Sequence, residues 1–251
     1  VKVKILASGS KGNCIVLQYG EKCILIDAGV AKTKIEKALL EHGIYPNAVQ
    51  AIFITHAHGD HIKGLPFANK YHIPVFATSG EWRSISKVDV ELQRSIETVF
   101  GAYSAIEIQG ASICPFPTHH DAYEPVGFSI TDGQTKVSVC LDTGKVDKEM
   151  LEAMRDSDIY IIEANHDSDM VEVGQYPSKV KERILSDNGH LSNEQTAKVL
   201  QRLVQGNGEK IYLVHLSSKN NLPSLAELTV KQFLKQKGLI IGQQYNVEVV
   251  S

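Results

Sequence analysis

The chain has 251 residues, enough for one large domain or two small ones. Its 43% hydrophobic and 22% charged residues are ordinary for a globular protein, and a net charge of −3 excludes a histone-like basic mode of nucleic-acid binding while leaving room for a local basic patch. No apolar run approaches the roughly 20 residues of a membrane span. The alternating start Val-Lys-Val-Lys-Ile-Leu reads as a strand and not as a signal peptide, and Cys14, Cys23, Cys114 and Cys140, without a C-x-x-C pair, read as buried reduced thiols of a cytoplasmic protein.

Val3–Leu6, Cys14–Tyr19 and Cys23–Asp27 alternate as an antiparallel meander with glycine turns between them. Lys32–His42 has helical spacing, with Ile35, Leu39 and Leu40 on one face, and stops at Gly43. Ala51–Thr55 is a buried strand, Ile62–Tyr71 a helix and Pro74–Ala77 a short strand. The stretch 80–103 has no clear period. Strands return at Ser104–Ile108, Ala111–Pro115, Val126–Thr131 and Thr135–Leu141, the last two joined by Asp132-Gly133. Asp147–Met154 is helical, Ile159–Glu163 is a buried strand, and a helix follows Pro177. Ser192 and Gln195 form a capping box for a helix reaching about Gln205. Lys210–Val214, Ala226–Lys237 and Asn246–Val250 complete the chain as strand, helix and strand. The absence of a linker or low-complexity segment predicts one domain over 1–251, two packed sheets flanked by helices.

The most informative segment is Thr55-His-Ala-His-Gly-Asp-His61, placed directly after a buried strand. Imidazole and carboxylate are the ligands of zinc, manganese and iron(II). His56 and His58 are two apart, so on an extended chain they face one way, with Asp60 and His61 beyond the turn. One loop thereby offers two ligand pairs. Acidic and imidazole residues recur at other strand ends: Asp27 after Ile24-Leu25-Ile26, Asp142 after Val137–Leu141, and His215 after Ile211–Val214. His120 lies in Thr-His-His-Asp-Ala. Ligands fixed at strand ends suit a composite metal site.

In this order, Asp27, the His56–His61 motif, His120, Asp142 and His215 resemble the metallo-β-lactamase superfamily over nearly the whole chain. That resemblance implies an α/β fold, an αββα sandwich of two mixed β-sheets flanked by helices. It implies two divalent ions, manganese, zinc or iron. One ion is held by His56, His58 and His120, the other by Asp60, His61 and His215, with Asp142 bridging and Asp27 orienting a histidine of the loop. Two such ions share a hydroxide and clamp a phosphoryl oxygen. Aspartate at 142, where the lactamases use cysteine, resembles the phosphodiesterase and thioesterase branches. Leu6-Ala-Ser-Gly-Ser-Lys-Gly-Asn13, His119-His-Asp-Ala122, Gly189-His-Leu-Ser-Asn193 and His215-Leu-Ser-Ser-Lys-Asn-Asn221 resemble the YycJ (WalJ) family, which implies a DNA exonuclease, 5′-to-3′. The Asp-Ala and Pro-x-Gly that follow align on His120; His119 is the alternative third ligand.

Glu163 and His190 resemble the glutamate–histidine pair of tRNA 3′-processing phosphodiesterases. There an imidazolium protonates the leaving alkoxide. The candidate catalytic residues are thus Asp60, His190 and Glu163. For His190 the alternative is a histidine packed at a helix start. His166, Asp167 and Asp169 read equally as substrate-facing or as a polar surface loop. Ser8, Ser10 and Asn13 either donate to a phosphate or shape a hairpin, and Asn220 and Asn221 divide the same way. Lys11, Lys63, Arg83, Lys87, Arg94, Lys145 and Lys219 are scattered charges of a site mouth or of an ordinary surface. Trp82 either stacks on a base or joins the core. Besides a DNA substrate, RNA and small phosphodiesters remain open, as does a metal-binding regulatory module without turnover. No membrane partner is expected.

Overall fold

The computed structural model describes residues 1–99 and 102–250. They fall into two compact units. The first comprises Val1–Pro115, Ala122–Val126 and Ile130–Gly133, and the second Phe116–Asp121, Gly127–Ser129 and Gln134–Ser251.

The first unit is built on a six-stranded mixed sheet. The expected meander is present as β1 (Lys2–Ala7), β2 (Cys14–Tyr19) and β3 (Lys22–Ile26), all antiparallel. Helix α1 (Lys32–Glu41) buries Ile35 and Leu39 and crosses over to β4 (Val49–Phe53), which pairs parallel with β3. The single helix expected over 62–71 is two short ones, α2 (Gly59–Ile62) and α3 (Pro66–Tyr71). The break has two causes. Gly64 passes so close to the 28–30 loop that a Cβ there would lie 2.1 Å from the Val30 carbonyl oxygen, and Pro66 starts a new helix at a position where its missing N–H costs nothing. Next come β5 (Val75–Thr78), α4 (Ser79–Trp82) and β6 (Gln93–Ile96), so the order is β1-β2-β3-β4-β5-β6.

The rest of the unassigned stretch 80–103 holds a 3-10 turn (Val90–Leu92) and the two-residue strands β7 (Thr98–Val99) and β8 (Ala102–Tyr103); positions 100 and 101 lie outside the described residues. Strands β9 (Ile106–Ile108) and β10 (Ala111–Pro117) form the next antiparallel pair. Cys14, Cys23 and Cys140 are buried as expected, but Cys114 is exposed, because alternation along β10 turns it outward. Trp82 packs against the first unit's core and donates Nε1–H to the Arg94 carbonyl, so its role there is packing.

β11 (Val126–Thr131) contributes to both units. The second unit continues with β12 (Lys136–Cys140), α5 (Lys148–Met154), β13 (Ile159–Glu163), α6 (Ser168–Val173), α7 (Ser178–Leu185), α8 (Asn193–Leu203), β14 (Glu209–Val214), α9 (Pro223–Gln236) and β15 (Tyr245–Val249). β12, β13, β14 and β15 are parallel neighbours. That explains why β13 is buried along its whole length: a parallel strand covered on both faces reads as a continuous apolar run. The Ser192–Gln195 capping box forms, fixing the start of α8, whose Ala197, Leu200 and Leu203 enter the core. Such a cap contributes about 1 kcal/mol.

Register decides what stands at the strand ends. Ile26 of β3 pairs with Phe53 of β4, so Asp27 and the His loop leave the sheet side by side. Cys140 pairs with Ile162 and Glu163 with Val214, so Asp142, Glu163 and His215 leave the second sheet together. In both units Asp27, the His loop, Asp142, Glu163 and His215 stand at the carboxyl ends of strands with a parallel neighbour, where open α/β sheets bind ligands. No helix among the described residues is long and apolar enough to cross a membrane.

Candidate functional site

In the first unit the His loop is held by its neighbours. The Thr55 N–H and hydroxyl each donate to the Asp27 carboxylate at 2.8 Å, and His61 Nδ1 lies 2.7 Å from Asp27 Oδ2. The threonine proton is spent on Asp27, so Thr55 Oγ1 accepts from His56 Nδ1, 3.1 Å away. Both Nδ1 atoms therefore carry protons, and His56 and His61 each present a lone pair at Nε2, the tautomer that lets Nε2 bind a metal. The ring centroids of His58 and His61 lie 4.5 and 4.0 Å from that of His56. The Asn13 amide donates to His61 Nε2 at 3.1 Å, a lone pair that a cation would take over. His58 is extended and precedes α2, whereas Asp60 and His61 are within it. A helical turn, not a second extended pair, thus separates the two ligand pairs.

One contributor, Glu81, escaped sequence reasoning, and of the two readings of Asn13 the turn-shaping one is seen. Asn13 shapes the 9–13 turn, its Oδ1 accepting the Gly9 N–H at 2.9 Å. Glu81, almost fully buried, accepts the Ala57 N–H at 2.6 Å and the Glu124 N–H at 2.7 Å, clamping the loop's middle. The only sequence signal for Glu81 was a lone acid in a segment without a period.

In the second unit Asp142, Glu163, His190 and His215 place ligand atoms within 4.8 Å of one another. His215 Nδ1 lies 2.7 Å from Asp142 Oδ1, and His190 Nδ1 lies 3.1 Å from both Asp142 Oδ1 and Glu163 Oε2. Glu163 Oε1 accepts the backbone N–H groups of Thr143 and Leu191 at 2.7 and 3.2 Å. Burial works against the charge on His190, but the Glu163 and Asp142 carboxylates outweigh it and raise its pKa to about 9. Burial likewise resists ionisation of Glu163, and the His190 charge with hydrogen bonds from His190 and His215 holds it below the usual carboxylate value.

His120 is buried and donates Nδ1–H to the Gly189 carbonyl at 3.0 Å, and burial holds its pKa below that of a free imidazole. Its Nε2 then faces Asp121 Oδ1 at 3.1 Å, lone pair towards carboxylate, an arrangement a cation relieves. His119 turns instead to Asp147, 2.7 Å from Nε2. His166 is not on a surface loop. It is buried beside Ser192, its carbonyl accepting the Asn193 N–H at 2.8 Å. Asn221 braces its turn by donating to the Ala164 carbonyl and pairing with Asn193.

Three of the six non-glycine residues with positive φ among the described residues belong to these clusters. Asp27, Asp142 and His215 adopt φ of 60°, 45° and 55°. This left-handed region costs a residue with a Cβ about 1–2 kcal/mol and collects at functional sites. The donor set is entirely nitrogen and carboxylate oxygen, oriented by carboxylates and carbonyls behind it, which fits hard to borderline divalent ions.

The sequence pattern of the β-lactamase superfamily domain matches residues 22–216. The chain belongs to that superfamily. It is 36% identical to exodeoxyribonuclease WalJ of Streptococcus pneumoniae, over 98% of this chain and 93% of the relative. It is 33% identical to exodeoxyribonuclease YycJ of Bacillus anthracis, over 97% and 92%. It therefore also belongs to the YycJ/WalJ family, and it is a metal-dependent hydrolase. Among solved structures, the metallo-β-lactamase fold protein YhfI of Bacillus subtilis superposes with a TM-score of 0.74 at 15% identity, covering 99% of this chain and 95% of that one. The short form of human tRNase Z gives 0.63 at 19%, covering 86% and 93%. At such identities the likeness shows the fold alone, a mixed α/β metallo-β-lactamase fold, as expected from the sequence.

Proposed function

We propose that residues 1–251 act as one hydrolase domain that cleaves DNA phosphodiester bonds from the 5′ end with two divalent ions. In this reading His56, His58 and His120 hold one ion, Asp60, His61 and His215 hold the other, and Asp142 serves both. The single observation that carries it is the orientation of the imidazoles. His56, His61, His120 and His215 each have Nδ1 engaged by a hydroxyl, carboxylate or carbonyl, which leaves Nε2 for a metal. The family's relatives, named exodeoxyribonucleases, supply the substrate class.

The ions would supply an activated water at neutral pH and neutralise charge on the phosphoryl oxygens. The remaining steps belong to the chain. Asp60 accepts a hydrogen bond from the attacking water and turns its lone pair towards phosphorus. His190, kept protonated by Glu163, offers its Nε2 proton to the leaving alkoxide. An alkoxide is far too basic to leave unassisted, so a partly buried imidazolium backed by a carboxylate is the group this reaction needs. Glu163, fixed by two backbone N–H groups, keeps that imidazole aimed.

The test is digestion of 5′-labelled and 3′-labelled DNA and RNA, and of a bis-aryl phosphodiester, by chelated and manganese- or zinc-reloaded protein. The expected outcome is metal-dependent loss of nucleotides from the 5′ end of DNA. Hydrolysis confined to RNA or to small diesters would replace the substrate assignment. Turnover by protein shown to be metal-free would overturn the mechanism.

A further inference from the structure

Beside the His loop, within the first unit, lies a cavity of about 660 Å³. Lys11, Lys34, Lys63 and Lys87 are among its lining residues, with Ser10 beside them and Asp60 as the one acidic residue. The four lysines come from separate segments: the 9–13 turn, α1, the end of α2 and the loop after α4. Some other surface lysines are paired with acids, Lys70 with Glu36, Lys145 with Asp187 and Lys198 with Glu194. Among the described residues none of the four cavity lysines has an ion pair. Like charges gathered on a concave wall repel one another, and the wall focuses their field into the space they enclose. An anion in that space offsets the repulsion.

Backbone hydrogen bonds link the segments that support the cavity. Asn13 N–H donates to the Asp60 carbonyl at 2.8 Å, Gly29 N–H to the Asn13 carbonyl at 2.7 Å, and Ala28 N–H to the His61 carbonyl at 2.8 Å. The lysine-bearing 9–13 turn and the start of α2 are thus tied to one another through residues 28 and 29. The 9–13 turn of the cavity and the Asp60 backbone are therefore held next to each other. Lysine is a compact, rotatable point charge without the planar fork of arginine, so it takes phosphate without reading a base.

We propose that this cavity is a phosphate-holding subsite for the nucleic-acid strand next to the bond being cleaved, with Lys11, Lys34, Lys63 and Lys87 as its cationic wall. The proposal rests on the reading of Asp60 as part of a phosphodiesterase centre. The phosphate is either the terminal monoester of the strand or an internal diester one step from the cleaved bond. Both present the same anionic oxygens.

The experiment measures binding separately from hydrolysis. Metal-loaded protein is titrated against a fluorescent, nuclease-resistant phosphorothioate single strand, with and without a 5′-phosphate, at several salt concentrations. The Lys34→Glu/Lys87→Glu protein should bind at least about tenfold more weakly. Its slope of log affinity against log salt should fall by about 1.4, two contacts at about 0.7 each. Lys179→Glu/Lys235→Glu makes the same charge change at exposed positions outside the cavity, and should change affinity less than about twofold. Lys34→Arg/Lys87→Arg should keep most of the affinity. A loss confined to the 5′-phosphorylated strand assigns the subsite to the terminal monoester, and an equal loss with both strands assigns it to an internal diester. Equal weakening by the control pair, or no weakening by the cavity pair, overturns the proposal. Hydrolysis of unmodified DNA by the unsubstituted protein is scored in parallel. If it persists while binding is insensitive to the cavity lysines, the subsite alone is wrong. If it is absent while the cavity lysines govern binding, the nuclease reading fails instead.

Discussion

Glu163 divides its two carboxylate oxygens between two tasks. Oε1 is fixed by the Thr143 and Leu191 N–H groups, and Oε2 meets His190 Nδ1 at 3.1 Å. The carboxylate is thus anchored on one side and charges the imidazole on the other. His190→Ala should lower turnover of DNA by about two to four orders of magnitude. It should spare bis-nitrophenyl phosphate, whose leaving group needs no proton. Both substrates are assayed on protein of verified metal content, and an equal loss on both would remove His190 from proton transfer.

The same pair makes a prediction about titration. His190 is protonated up to a pKa of about 9 because the carboxylates outweigh its burial. Glu163→Gln removes one of those charges, so the folded pKa must fall. In metal-free protein, NMR should show the His190 ring losing its proton near pH 9 in the unsubstituted chain and at clearly lower pH in Glu163→Gln. An unmoved titration would mean that Asp142 alone sets the charge.

Manganese-loaded protein should contain two ions and give the electron paramagnetic resonance signal of an exchange-coupled pair, as expected for ions about 3.5–4 Å apart. Asp142→Ala should abolish the coupling. A signal from isolated ions in the unsubstituted protein would show that the two ligand clusters serve separate sites.

Gly29 lies where the 28–30 loop touches the His loop, and a Cβ there would fall 1.6 Å from the Asp60 carbonyl oxygen. Gly29→Ala must push the two loops apart. The expected cost is about 1–3 kcal/mol in stability, read by denaturant unfolding, with metal affinity reduced about tenfold or more. Unchanged metal affinity would show that the Asp60 backbone can shift without moving its side chain.

Much of this was legible in the sequence because the informative residues follow buried strands. Apolar runs such as Ile24-Leu25-Ile26 and Ile159–Ile162 announce where a strand stops, and the acid after each is then placed by register. The illegible parts have tertiary causes. Residues 80–99 form elements of two to four residues that no local period can signal. Glu81 works through Ala57, a partner distant in sequence. Helix α6 did leave a trace: Asp167 caps it by accepting the Met170 N–H, although the segment reads as a polar loop.

His166 supplies a pH prediction that does not depend on catalysis. Its ring is buried, and burial lowers its pKa from 6.5 to about 4. Between those values the unfolded chain binds the proton and the folded chain does not, so this contribution to stability is lost as pH falls through the window. The loss attributable to His166 should reach about 3 kcal/mol near pH 4. Urea unfolding of metal-free protein from pH 7.5 to 4 checks this, with His166→Gln expected to show a shallower decline. Parallel declines would mean that His166 finds a partner for its second proton.

The left-handed backbone at Asp27, Asp142 and His215 carries an evolutionary consequence. Glycine would relax each of these positions, so a search for thermal stability alone would favour it at 142 and 215 and erase the chemistry first. Such replacements should yield proteins that melt later than their parent and do nothing. A library screened only for heat resistance would reveal those positions by the residues it discards.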